Sequence, residues 1–240
     1  LGASPLAMEA YEREAHRLHL YPDGGAKELR DAIGQRFGLA PARIVCGAGS
    51  DEIISLLIRA YAGVGDEVLY SAHGFLMYQI NAKSAGATPV AAPETNLTAL
   101  LDAVTHRTKM LFLANPNNPT GSYLPAHELR RLREGLPDHV LMVIDAAYAE
   151  YVSRNDYVSG AELVEKHDNV VMARTFSKAF GLAAVRLGWA YCPAEVADVL
   201  NRVRNPFNVT APAQAAGIAA VSDLSHTDAA IAHNLSLIHI

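Results

Sequence analysis

The sequence has 240 residues, half of them hydrophobic and 19% charged, with a formal net charge of −5. That balance suits a globular protein with a sizeable core, and no broad positive field marks nucleic acid or an anionic membrane as a partner. No apolar run approaches the roughly 18 residues of a membrane span, and the two cysteines, Cys46 and Cys192, are spaced for neither metal nor disulfide.

Buried free thiols fit a reducing, cytoplasmic compartment. The ten histidines form no HExxH-like pair, so no metal site is expected. The opening "LGASPLAMEA" has neither an initiator methionine nor a charged-then-apolar leader, and the closing "NLSLIHI" carries no cap or turn chemistry. The polypeptide is therefore expected to be a segment cut at both ends.

In chain order, "AKELRDAIGQRF" places Leu29, Ile33 and Phe37 on one helical face, with Gly38 as a stop. "SDEIISLLIRAYAG" reads as a helix capped by Ser50 and ended at Gly63. "DEVLY" is a strand, "GFLMYQINAKSAG" a helix and "ATPVAA" a strand; "LTALLDAV" is helical and "KMLFLA" extended. "PAHELRRLREGL" is a helix with Pro125 in its first turn, followed by the strands "HVLMVI", "NVVMAR" and "RLGWAYC" and the helix "AEVADVLNRVR". Such alternation, with near-continuous apolar strands, predicts an α/β fold: a mostly parallel sheet with helices on both faces, in three αβα layers.

In sheets of this kind ligands bind beyond the carboxyl ends of the strands. Three strands there run into unusual words: "KMLFLA" into "NPNNPTG", "HVLMVI" into "DAAYAEY", and "NVVMAR" into "TFSK". Asn118, Asp145, Tyr148 and Lys178 can thus face one crevice. Taken singly, each has an ordinary reading. Asp145 is a helix cap or loop anchor, Lys178 an amine snorkelling to water, Arg186 a surface ion-pair partner, Phe75 core and Asn118 an Asx-turn. The amides at the start of "GAGSDE" make an anion site, but Asp51 and Glu52 oppose an anion unless turned aside. Together the residues ask for one ligand. It has a carbonyl for Lys178 and a protonated ring nitrogen for Asp145. It also has a phenolic oxygen for Asn118 and Tyr148, and a phosphate for Ser50, Thr175, Ser177 and Arg186. Pyridoxal 5'-phosphate has all four.

On "YPDG", "GAGSDEIISLLIRAY", "NPNNPTG", "VIDAAYAEY", "TFSKAFGLAAVRLGW" and "VRNPFNVTAPAQAA" the sequence resembles the fold-type-I aminotransferases and, within them, the histidinol-phosphate aminotransferase family. The likeness runs from the first residue to about His233. It implies that Lys178 bonds the cofactor covalently, Asp145 pairs with the pyridine N–H, and Asn118 and Tyr148 bond the ring hydroxyl. Phe75 takes the place of the ring-stacking aromatic. The Ser50 and Asp51 backbone, Thr175, Ser177 and Arg186 hold the phosphate. Tyr21 matches a tyrosine that reaches the phosphate of the other subunit, which implies a homodimer. The implied reaction converts L-histidinol phosphate and 2-oxoglutarate to imidazole-acetol phosphate and L-glutamate in histidine biosynthesis, with Lys178, Asp145 and Tyr148 as the catalytic groups.

The sequence departs from the family in lacking an Asn-rich amino-terminal arm and the carboxyl-terminal domain whose arginine grips the substrate carboxylate; "LSLIHI" matches nothing in the pattern. Residues 1–20 are then read as the remnant of an arm, 21–205 as the cofactor-binding large domain and 206–240 as the start of an incomplete small domain. The alternatives are another fold-type-I enzyme, an aromatic aminotransferase or threonine-phosphate decarboxylase, or an inactive cofactor-binding fragment.

Overall fold

Strands that are apolar on both sides can be buried only in a sheet covered on two faces. The computed structural model describes residues 2–93 and 96–237, with side chains to residue 234. Its strands are β1 (Ile44–Gly47), β2 (Glu67–Ser71), β3 (Thr88–Ala92), β4 (Thr108–Ala114), β5 (Leu141–Asp145), β6 (Val170–Thr175) and β7 (Gly188–Tyr191). They form one sheet in the order β1-β7-β6-β5-β4-β2-β3. Neighbours are parallel except at β7, which runs against both β1 and β6.

Successive side chains leave a strand on opposite faces, and each face has its own core. Leu111, Leu113, Met142, Ile144 and Met172 pack with α2 (Lys27–Phe37), α5 (Leu97–Asp102), α6 (Ala126–Gly135), α7 (Ala161–Lys166) and α9 (Ala211–Ser222). Met110, Phe112, Val143 and Val171 pack with α3 (Ser50–Tyr61), α4 (Met77–Ser84) and α8 (Ala194–Val203). The three-layer reading holds, and fully burying each such side chain contributes roughly 1.5–3 kcal/mol before entropy is charged. Cys46 and Cys192 lie in opposite cores and are free; burial pushes the Cys46 thiol up to about 12.

Elements that the periodicity passes over have physical reasons for being inconspicuous. β1 has four residues, too few for a pattern to show. α9 is alanine-rich without a polar stripe, and Ala213, Ala216 and Ala220 are buried with Trp189 in one core. α1 (Pro5–Arg13) is capped by Ser4, whose hydroxyl also donates to Asp223 Oδ2 at 2.6 Å, tying the amino end to the end of α9. Two caps differ from expectation. Gly49, at φ 87°, is the N-cap of α3 and Ser50 its first helical residue, because the approach of β7 requires that turn; Pro125 caps α6 from one residue outside it. α10 (Leu224–Leu237) carries most of the closing stretch, whose last three residues lie outside the described residues, as does Leu1. No helix among the described residues is long and apolar enough to cross a membrane.

Glu67 opens β2 at the sheet end opposite the strand carboxyl termini and is buried. The Thr105 hydroxyl, Arg107 and the Thr108 hydroxyl all engage its carboxylate and hold it below the usual range, the Thr105 bond most of all. A depressed carboxyl stabilises the fold above the unfolded value near about 4.3 and loses that contribution as pH falls through the folded value. Glu67→Gln should therefore cost roughly 1–3 kcal/mol in urea denaturation at pH 7, with the gap from wild type narrowing below about pH 4.3.

Candidate active site

The register of the parallel strands builds the site. Ala114 pairs with Asp145 and Asp145 with Ala173, so the carboxyl ends of β4, β5 and β6 lie side by side, with β6 running two residues further to Thr175, and the loops beyond them open together. β7 enters antiparallel with Gly188 opposite Thr175, which brings Arg186 beside the loop after β6. Between these loops and the start of α3 lies a cavity of about 230 Å³.

Asp145 forms its floor. The carboxyl group is buried, and the Tyr78 hydroxyl donates to Oδ2 at 2.7 Å while Oδ1 is buried with no hydrogen-bond partner. Burial pushes its pKa up; the Tyr78 and Ala147 bonds oppose this, Asp51 adds to it and Lys178 opposes it. A buried carboxylate oxygen with an open lone pair is an acceptor waiting for a donor from the cavity.

Lys178 is half-buried, and its Nζ lies 5.1 Å from the centre of the Tyr148 ring, so the amine is turned into the cavity. Glu150, two residues after Tyr148, is ion-paired with the buried Arg174 of β6. The guanidinium lies over Phe37 at 4.9 Å and Trp189 at 5.6 Å, fixing the Tyr148 segment to the strand that delivers Lys178. The "NPNNPTG" loop is braced in a similar way. Asn115 Nδ2 donates to the Leu124 carbonyl at 3.1 Å, and the Leu124 amide donates back to Asn115 Oδ1 at 2.8 Å. Asn117 Nδ2 donates to the His73 carbonyl at 3.1 Å, leaving Asn118 on the cavity wall.

A helix start and an arginine lie at another side of the cavity. α3 starts there with Ser50 and Asp51, and a helix start presents amides and the positive end of a dipole. The Arg186 guanidinium lies across this start: a Cβ on Gly49 would stand 2.5 Å from its Nη2. Glu52 turns away, accepting from the Ala48 amide at 2.6 Å and from Asn208 Nδ2 at 2.7 Å, so it serves the helix start. Asp51 instead keeps a buried, unpartnered Oδ1. Thr175 Oγ1 accepts from the Ser177 amide at 3.1 Å, setting both hydroxyl residues on the Arg186 side.

Of the residues singled out from sequence, Ser50, Asp51, Phe75, Asn118 and Asp145 line this cavity together with Tyr148, Thr175, Ser177, Lys178 and Arg186. Tyr21 does not. It is 83% exposed, stacks on Phe207 at 4.7 Å and borders a separate hollow with Asp23, Lys27 and Gln214. Sequence reasoning missed Tyr78; its signal was the three-residue spacing from Phe75, which puts both rings on one side of a helix start.

A lysine amine facing a buried carboxylate across the carboxyl ends of a predominantly parallel αβα sheet defines the class: this is the large-domain fold of the fold-type-I aminotransferases. Histidinol-phosphate aminotransferase from Sinorhizobium meliloti, solved in complex with pyridoxal-5'-phosphate, superposes with a TM-score of 0.91 at 30% identity, over 96% of this chain and 64% of that one. A mutant of Thermus thermophilus aspartate aminotransferase shares the fold, with a TM-score of 0.87 at 23% identity over 97% of this chain and 65% of that one. Residues 3–238 match the family Aminotransferase class I and II, and the chain belongs to that family. It is 67% identical to the histidinol-phosphate aminotransferase of Paramagnetospirillum magneticum and 63% identical to that of Rhodospirillum centenum, in each case over 98% of its own length. It spans 66% of the length of each of these two relatives.

The join between β7 and α3 is closely packed. A Cβ on Gly188 would stand 2.2 Å from the Ser50 amide nitrogen and 2.5 Å from the Gly49 carbonyl carbon, both backbone atoms that cannot yield cheaply. Gly188→Ala should cost about 1–3 kcal/mol in urea denaturation and weaken anion binding at the α3 start, whereas Gly63→Ala, with open space around it, should change stability by less than about 0.5 kcal/mol.

Proposed function

We propose that the polypeptide is the cofactor-binding part of a pyridoxal-phosphate-dependent aminotransferase. Its reaction takes L-histidinol phosphate and 2-oxoglutarate to imidazole-acetol phosphate and L-glutamate. The observation that carries this reading is one cavity holding an inward amine at Lys178, a buried carboxylate oxygen at Asp145 and an arginine fork at a helix start. The identity to relatives bearing the name histidinol-phosphate aminotransferase supports histidinol phosphate as a substrate. Residues 21–205 supply the cofactor domain on this reading.

The residues fit the cofactor on their own chemistry. The unpartnered Asp145 Oδ1 suits a cationic N–H donor, and the Arg186 fork with the α3 amides suits a phosphate dianion. When bound, pyridoxal phosphate supplies an aldehyde and an electron-withdrawing pyridinium ring. Asp145 Oδ1 would hold the proton on the ring nitrogen. Asn118 and Tyr148 would meet the ring oxygen, and Phe75 would cover a ring face. Ser50, Asp51, Thr175, Ser177 and Arg186 would anchor the phosphate. Lys178 Nζ would hold the aldehyde end of the cofactor and, as a free amine, would move the proton at the substrate Cα as general base and acid. On this reading the protein is a cytoplasmic homodimer, and the exposed Tyr21, stacked on Phe207, is the residue that reaches the partner subunit's cofactor.

Borohydride reduction of the full chain with pyridoxal phosphate, followed by peptide mass mapping, should place the adduct on Lys178. Lys178→Ala should lose both adduct and turnover; an undiminished adduct in that variant refutes the assignment. Asp145→Ala should still trap cofactor but lose about 10²–10³-fold or more in glutamate formation, and wild-type turnover there contradicts the role given to the carboxylate.

A further inference from the structure

Tyr78 is wholly buried in the first turn of α4. Its ring stacks on Phe112 at 5.0 Å and meets Phe75 edge-on at 5.9 Å. Packing alone needs only that ring, and a phenylalanine would fill the place. The hydroxyl has a separate task. It donates to Asp145 Oδ2 at 2.7 Å, while Oδ1 of the same carboxylate is buried and unpartnered, and Asp145 lines the cavity.

We propose that Tyr78 is a positioning residue for Asp145: by occupying Oδ2 it fixes the carboxylate's orientation and leaves Oδ1 as its acceptor toward the cavity. The proposal rests on the reading that a pyridoxal-phosphate ring nitrogen faces Asp145. Its physical need follows from the surroundings. Asp145 is reached by Asp51 from α3, Tyr78 from α4 and Lys178 from the loop after β6; burial and Asp51 both favour protonation of its carboxyl. A protonated, freely rotating acid would offer the cavity a donor where an acceptor is required. Tyr78 opposes that outcome by stabilising the ionised form. It keeps its own proton across the working pH range, because burial and then Asp145 push the phenol well above its ordinary value. A hydrogen bond to an ionised partner is strong enough for the effect to be measurable.

The test compares two ligands on the full chain: pyridoxal phosphate, and its carbocyclic analogue with a C–H in place of the ring nitrogen. Affinities are read from the absorbance of the Lys178-bound chromophore. Tyr78→Phe should weaken pyridoxal phosphate about tenfold and leave the analogue within about twofold. In an Asp145→Ala background the same change should alter pyridoxal phosphate affinity by less than about twofold, since no carboxylate remains to position. Phe112→Leu, which loosens the Tyr78 ring without removing the hydroxyl, should weaken both ligands alike. Equal weakening of the two ligands by Tyr78→Phe, no change in either, or a selective loss in Phe112→Leu overturns the proposal. A wild-type chain that traps no adduct on Lys178 overturns the cofactor reading, and this proposal with it.

Discussion

The register of three neighbouring parallel strands is the constraint on which the molecule depends. Because Ala114, Asp145 and Ala173 are in register across β4, β5 and β6, the residues that follow each strand emerge into one space. A shift of one residue in that pairing would turn Asp145 from one face of the sheet to the other and send it into a hydrophobic core. The apolar side chains below it hold the register: Val143 and Ile144 are wholly buried on opposite faces, so a slip would exchange two well-packed cores at once.

Charge is then separated along the cavity. A carboxylate with an open lone pair lies on the floor, and a guanidinium and a helix start lie at the far side. Asp145 accepts from the Tyr78 phenol, and the exposed Arg186 donates from Nη1 to the Ala183 carbonyl. Burying a carboxylate such as Asp145 is costly, and a fold keeps that cost where a ligand carries the complementary charge. The antiparallel entry of β7 makes the arrangement possible, since it returns the chain to the same end of the sheet and sets Gly188 directly on the turn that starts α3.

The surrounding braces are made from ordinary hydrogen bonds and one buried ion pair. Glu52 ties the α3 start to Asn208, Asn115 ties the "NPNNPTG" loop to Leu124, and Glu150 ties the Tyr148 segment to Arg174. Glu150 joins the loop of Tyr148 directly to β6, Leu124 belongs to a core, and Glu52 holds the first turn of α3. Geometry at the site is thereby set by secondary structure and not by the loops alone.

How much of this was legible in the sequence follows from the range of each interaction. Alternating apolar strands and amphipathic helices, the loop words after three strands and the amine at Lys178 are local patterns, and they determined the layered α/β fold, the end of the sheet at which chemistry is done and most of the residues that line the cavity. The tertiary structure alone decided that Glu52 faces away while Asp51 faces in, that Gly49 and not Ser50 caps α3, and that Tyr78 holds Asp145. The reason is distance along the chain. Asn208 meets Glu52 across 156 positions and Tyr78 meets Asp145 across 67, and pairings of that span leave no periodic or compositional mark, because they exist only once the sheet has brought their elements together.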